Sequence, residues 1–200
     1  RFSLLSVGSL IPRKGHELTI GALPGLPDCD LTIAGSGPLR AELEALAQRL
    51  GVAARVRFLG EVPHAELPNL YRAADMLVLA SEREGWANVL LEAMACGTPV
   101  VATNVNGSAE AVSSPAAGLL AQERSVAGIR DAILALRRAM PSRPDTRRHA
   151  CRFSWQQTAR ANRELLIAAA AAGCAGRGSP VAAQAARASL AESGLVPTPV

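Results

Sequence analysis

The chain has 200 residues, 49% hydrophobic and 19% charged, which suits a compact domain with a sizeable core and excludes a chain too polar to fold. Its formal net charge of +4 is too modest to indicate nucleic-acid binding, and its longest apolar run, Leu165 to Ala172, is eight residues where a membrane-spanning helix needs about 20. Cys29, Cys96, Cys151 and Cys174 lie far apart with no C-x-x-C spacing, so neither a zinc site nor a disulfide framework is indicated and a reduced, cytoplasmic setting is expected.

Alternating short apolar runs and amphipathic stretches predict repeated βα units and a Rossmann-like parallel sheet with helices on both faces. Strands are expected at Phe2 to Val7, Leu31 to Ala34, Arg55 to Leu59, Met76 to Ala80 and Thr98 to Ala102, each rich in the Val, Leu or Ile of doubly covered strands. The clearest helix is Leu39 to Leu50, with Leu39, Leu43, Leu46 and Leu50 at helical spacing and Gly51 as its stop. Beyond Ala102 come a loop with Asn104, Asn106 and Gly107, a turn near Glu110 and a weak strand at Gly118 to Ala121. A helix from about Ser125 to Met140 follows, interrupted by Pro141 and Pro144, and then a long helix of roughly Trp155 to Ala172. Residues 1–172 are thus read as one domain, and the Ala-, Gly-, Ser- and Pro-rich stretch 173–200 as a mostly disordered tail. The first residues already read as strand, so the chain is expected to start inside a longer protein.

In an open parallel sheet ligands bind beyond the carboxyl ends of the strands. After the first strand, Gly8 opens a loop that carries Arg13 and Lys14 before Gly15 and a helix, a pair of cations that could meet a phosphate. Read alone, the segment is equally a solvated basic turn, although Lys14 is the sole lysine in a chain whose other basic residues are arginine. Gly35-Ser36-Gly37-Pro38 begins like a dinucleotide fingerprint, but Arg40 stands where the third glycine belongs, which argues against a dehydrogenase. After the fourth strand, Glu84 sits in the loop before a helix, Asn88 reads as the N-cap of that helix, and Glu92 lies one turn on. Eight residues of helix span on the order of 12 Å, about the length of a sugar joined to a nucleoside diphosphate. By spacing alone, ordinary surface acids are the favoured reading of the two.

The succession Ser6-Val7-Gly8, Pro12-Arg13-Lys14-Gly15, Ala34-Gly35-Ser36-Gly37-Pro38, Phe58-Leu59-Gly60 and Leu70-Tyr71-Arg72-Ala73-Ala74-Asp75 leads to Glu84-Gly85-x-x-Asn88-Val89-x-Leu91-Glu92-Ala93-Met94-Ala95-Cys96-Gly97-x-Pro99-Val100-Val101-Ala102-Thr103. It resembles the donor-binding half of retaining glycosyltransferases of family 4, the C-terminal half of the GT-B fold, over about residues 2 to 172. The resemblance implies that Arg13 and Lys14 neutralise the diphosphate of a nucleotide sugar, that Glu84 contacts the donor sugar and that Glu92 holds the ribose. It also implies that Gly8 and the backbone of Gly85, Trp86, Ala87, Asn88, Val89 and Leu90 cradle sugar and phosphate, while Val62 lines the base. The expected reaction moves a sugar to a hydroxyl acceptor with retention by front-face displacement, without metal or other cofactor. A sugar, lipid or other acceptor would be bound by a preceding domain, at the cytoplasmic side of a membrane if it is a lipid. Many members carry an arginine where Ser9 stands, which leaves Arg13 to supply the second charge. A sugar-nucleotide epimerase and a non-catalytic nucleotide-sugar binding module share this architecture and stand as the alternatives.

Asp28-Cys29-Asp30 has the form of a D-x-D metal motif but precedes strand two, at the edge opposite the site, and reads as a turn. His16 is a minor candidate at the phosphate. Tyr71 and Met94, at helical spacing among apolar neighbours, read as core. Ten arginines between Arg124 and Arg163 read as a solvated helix face, with a peripheral contact to anionic lipid as the other reading.

Overall fold

In the computed structural model, which describes residues 1–153, 159–160 and 162–169, every strand pairing is parallel. The strands are β1 (Phe2–Val7), β2 (Cys29–Ala34), β3 (Val56–Gly60), β4 (Met76–Leu79), β5 (Val100–Thr103) and β6 (Gly118–Ala121), and they lie in the order β3-β2-β1-β4-β5-β6. The helices are α1 (His16–Ala22), α2 (Arg40–Arg49), α3 (Leu67–Ala73), α4 (Asn88–Ala95), α5 (Asn106–Ala111), α6 (Val126–Arg138) and α7 (Arg143–Ala150). This is the doubly wound, Rossmann-like architecture, and Arg1–Arg152 form one compact unit.

Strand periodicity puts alternate side chains on opposite faces, and two cores result. Leu4, Met76 and Val78 pack with Ile20 of α1, Leu43 of α2 and Ile129 and Ile133 of α6. Leu5, Leu77 and Leu79 pack on the other face with Tyr71 of α3 and Leu90 and Met94 of α4. Burial on both faces explains why β4 and β5 are apolar at almost every position instead of alternating.

The expected strands are all present, β1 and β6 with the expected ends. Two helices are corrections. The turn near Glu110 is the helix α5, and Pro144 does not interrupt a helix but sits in the first turn of α7, where its missing N–H has no intrahelical partner to lose. Ser142 starts α7 by accepting the amide of Asp145 on its hydroxyl. Ser125 caps α6 in the same way through Gly128. Asp28 lies in the ion pair with Arg137 of α6, and Asp30 in the one with Arg1, so the Asp-Cys-Asp triplet is tied down at the amino edge of the sheet.

In the second unit, residues 159–160 and 162–169 are helical, and Arg160 pairs with Glu164 one turn on. The remainder of the expected Trp155 to Ala172 helix and the expected tail 173–200 lie outside the described residues. No helix among the described residues is long and apolar enough to cross a membrane.

Candidate functional site at the switch point

The strand order reverses between β1 and β4: the chain leaves β1 for the face bearing α1, and leaves β4 for the face bearing α4. The loops after these two strands part there and open a crevice. They are also locked together. The amide of Glu82 donates to the Arg13 carbonyl at 2.8 Å, and Gly15 lies against Ala80 so closely that a Cβ would stand 2.1 Å from the Ala80 carbonyl oxygen. With φ at +67° as well, only glycine fits this position.

Across this junction Lys14 Nζ donates to Glu84 Oε1 at 2.6 Å, with side chains 17% and 10% exposed. The lysine stem runs over Gly8, where a Cβ would be 3.6 Å from its Cδ. Ser81 Oγ donates to the same Glu84 oxygen at 2.6 Å, and the Ser81 carbonyl in turn accepts from Thr103 Oγ1 at the end of β5. Ser81 and Thr103 escaped the sequence reading. The Ser-x-x-Glu spacing was the available signal, but it is the signature of a helix capping box, and here no helix begins at Ser81.

Arg13 is exposed beside Lys14 and lines a cavity of about 680 Å³ with Glu82, Arg83, Asn104 and Asn106. Another hollow, about 460 Å³, lies between β6 and α6, away from these loops. Behind Lys14, His16 is buried: Nε2 faces the Ser9 carbonyl at 3.2 Å and Nδ1 faces Ser6 Oγ at 3.1 Å. A carbonyl only accepts, so Nε2 carries the proton and Nδ1 accepts from the serine hydroxyl. Burial holds the imidazole below its ordinary pKa, a shift that the Lys14 charge reinforces and that hydrogen bonds to Ser9 and Gly8 oppose. His16 thus serves the loop as a neutral strut.

Asn88 is not the N-cap of α4: Ala87 is, without a side-chain hydrogen bond, and Asn88 is the first helical residue. Of the amides expected to cradle the ligand, those of Asn88 and Leu90 donate to the carbonyls of Trp86 and Ala87. Gly85 and Trp86 are exposed, Ala87 and Leu90 buried, and Val89 half-buried. Gly107 of α5 supports this loop from behind, since a Cβ there would come within 2.5 Å of the Gly85 carbonyl oxygen and 2.9 Å of Trp86 Cα.

Glu92, on the second turn of α4, is a third exposed. Its Oε2 accepts from the Tyr71 hydroxyl at 2.8 Å, and its Oε1 lies 3.3 Å from His64 Nε2. His64 follows half-buried Val62 on the segment after β3, so the stretch expected to line a base borders the carboxylate expected to hold a ribose. Tyr71 is core, as its spacing suggests, and its hydroxyl also reaches the site. Met94 is core alone. Among the described residues no three His, Cys, Asp or Glu side chains converge as metal ligands would.

The family model described as glycosyl transferases group 1 matches residues 1–150. A glycogen synthase of Mycobacterium tuberculosis is 38% identical over 178 residues, covering 83% of this chain and 42% of that protein. A D-inositol 3-phosphate glycosyltransferase of Mycobacterium bovis is 38% identical over 164 residues, covering 76% and 34%. Among solved structures, a sucrose-phosphate synthase from Thermosynechococcus elongatus superposes with a TM-score of 0.73 at 32% identity, covering 84% of this chain and 46% of that one. Anabaena HepE in complex with UDP-glucose superposes with a TM-score of 0.66 at 28% identity, covering 75% and 42%. The chain spans about a third to two fifths of the length of the curated relatives it matches.

Proposed function

The chain belongs to the group 1 glycosyl transferases, and we propose that it forms the donor half of a family 4 enzyme that moves a sugar from a nucleoside diphosphate to a hydroxyl acceptor with retention and without a metal. The observation that carries this reading is the Lys14–Glu84 pair at the switch point. In a nucleotide sugar, a polyhydroxylated ring and an anionic diphosphate meet at one bond. A cation and a carboxylate fixed 2.6 Å apart match the two sides of that bond: Lys14 faces the phosphate, and Glu84 accepts from sugar hydroxyls. Both protein bonds to Glu84 fall on Oε1, so Oε2 is the oxygen turned over to the sugar.

Charge grows on the diphosphate as the sugar leaves. Lys14, held in place by Glu84, answers that charge together with Arg13 and the first turn of α4, the electrostatic work a divalent cation performs elsewhere. Glu92 takes the ribose diol and Val62 flanks the base. The solved complexes of HepE with UDP and with UDP-glucose support this ligand class. The acceptor, a sugar, a lipid or another hydroxyl compound, meets the donor through a further domain of the whole enzyme.

Calorimetric titration of the chain with nucleoside diphosphates in the presence and absence of chelator tests the reading. Binding of equal strength in both is expected. Strict dependence on magnesium would overturn the metal-independent mechanism, and absence of binding would overturn the donor-site assignment. Retention is read from the anomeric signals of the product made by the complete enzyme.

A further inference from the structure

We infer that Tyr71 is a positioning residue that presents Glu92 to the ribose and so sets the preference of the site for ribonucleotides over 2′-deoxyribonucleotides. The inference rests on the proposed nucleotide-sugar reading and names a specificity device within it. Glu92 projects from the second turn of α4 with a third of its side chain exposed, and a glutamate in such a position ordinarily samples several rotamers. Here Oε2 is held at 2.8 Å by the hydroxyl of Tyr71, whose ring is only 1% exposed in the core between the sheet and helices α3 and α4. The tyrosine is itself pinned at both ends: its carbonyl accepts from Thr98 Oγ1 at 2.5 Å, and its ring is buried.

The chemistry of this contact runs one way. Burial, followed by the hydrogen bond to Glu92 and the carboxylate charge, pushes the Tyr71 phenol far above its ordinary range, so at any working pH it keeps its proton and donates a hydrogen bond to the carboxylate. With Oε2 engaged by a rigid donor, Oε1 is aimed outward, where His64 Nε2 stands 3.3 Å away on an exposed turn. The same oxygen would accept from the ribose diol. A carboxylate already oriented captures two adjacent hydroxyls without ordering cost, and a sugar that lacks the 2′-hydroxyl forfeits one of those bonds. Removing the donor should therefore erode the preference for the diol before it erodes diphosphate binding, which depends on Lys14 and Arg13 at the other end of the site.

The test titrates the full chain with the diphosphates of uridine, adenosine, guanosine and cytidine, and compares the tightest with its 2′-deoxy counterpart, in the wild type and in Tyr71→Phe and Glu92→Gln. The wild type is expected to prefer the ribonucleotide by about tenfold or more, the worth of one charge-assisted hydrogen bond. Tyr71→Phe keeps the buried ring and should lose most of that preference with only a small weakening for the deoxy ligand, and Glu92→Gln should lose it too. Thermal melting reports folding separately: a Tyr71→Phe chain that melts lower yet keeps the full ribose preference would overturn the inference, as would equal weakening for both ligands. If Glu92→Gln keeps the preference, the ribose lies elsewhere and the inference falls with that assignment. If no diphosphate binds the wild type, the nucleotide reading itself falls.

Discussion

Lys14 and Glu84 lie seventy positions apart in sequence and 2.6 Å apart in space, and this contact changes what removal of either should do. Glu84→Ala releases Lys14 from its only ion pair among the described residues, so the affinity for a bare nucleoside diphosphate should hold or rise. The affinity for the corresponding nucleotide sugar should fall by about 1–3 kcal/mol, because the carboxylate proposed to accept from sugar hydroxyls is gone. Folding stability should drop by about 1–3 kcal/mol as well, since Lys14 is left largely covered without its partner. Paired titrations of the two ligands check this, and equal losses for both would move Glu84 off the sugar. At the same scale His16 carries a pH signature. Its folded pKa lies below the ordinary 6.5, so the unfolded chain takes up the proton first. Stability is full above about pH 6.5 and declines as the pH falls from there towards the lowered value. Urea midpoints at pH 7, 6 and 5 should show this decline in the wild type and a flatter profile in His16→Gln, and identical profiles would assign the proton to another group.

At the scale of elements, α5 is six residues long, yet it sets the height of the loop after β4. Alanine is a better helix former than glycine by about 1 kcal/mol, so propensity alone would make Gly107→Ala stabilising. The steric term opposes it and should win: the new Cβ meets backbone at 2.5 Å and 2.9 Å, and backbone cannot swing aside as a flexible side chain can. The Gly85–Trp86 segment must therefore move. Turnover of the complete enzyme should fall by about tenfold to a hundredfold, the cost of a donor displaced by a fraction of an ångström to an ångström. Full activity with an unchanged melting temperature would show that the loop has room behind it. The helix α7 illustrates a different element-scale lesson. Pro144, which reads as helix breaking, is the ordinary chemistry of a helix start once Ser142 is seen to accept the Asp145 amide.

For the molecule as a whole, the sequence by itself determined the class of fold, most of its elements and the loops on which to look for chemistry. Doubly covered strands must be apolar throughout and the covering helices must carry one apolar stripe, so β1 and β6 could be read to the residue, and α2 and α6 to within about two residues. Glycine and cation motifs then marked the loops at the carboxyl ends. Local pattern does not determine strand order, and strand order builds the site. Only the arrangement β3-β2-β1-β4-β5-β6 places β1 beside β4, and with it Lys14 beside Glu84, Ser81 within reach of Thr103, and Gly15 against Ala80. Tyr71 shows the same limit from the other side. Its spacing on α3 fixed its ring in the core, while the position of its hydroxyl depended on how α3 packs against α4. Asn88 marks where local preference yielded: a good capping residue stands next to the cap, and the turn from β4 into α4 put Ala87 there instead, because the loop's path is set by its contacts with the β1 loop and α5 and not by the helix it opens.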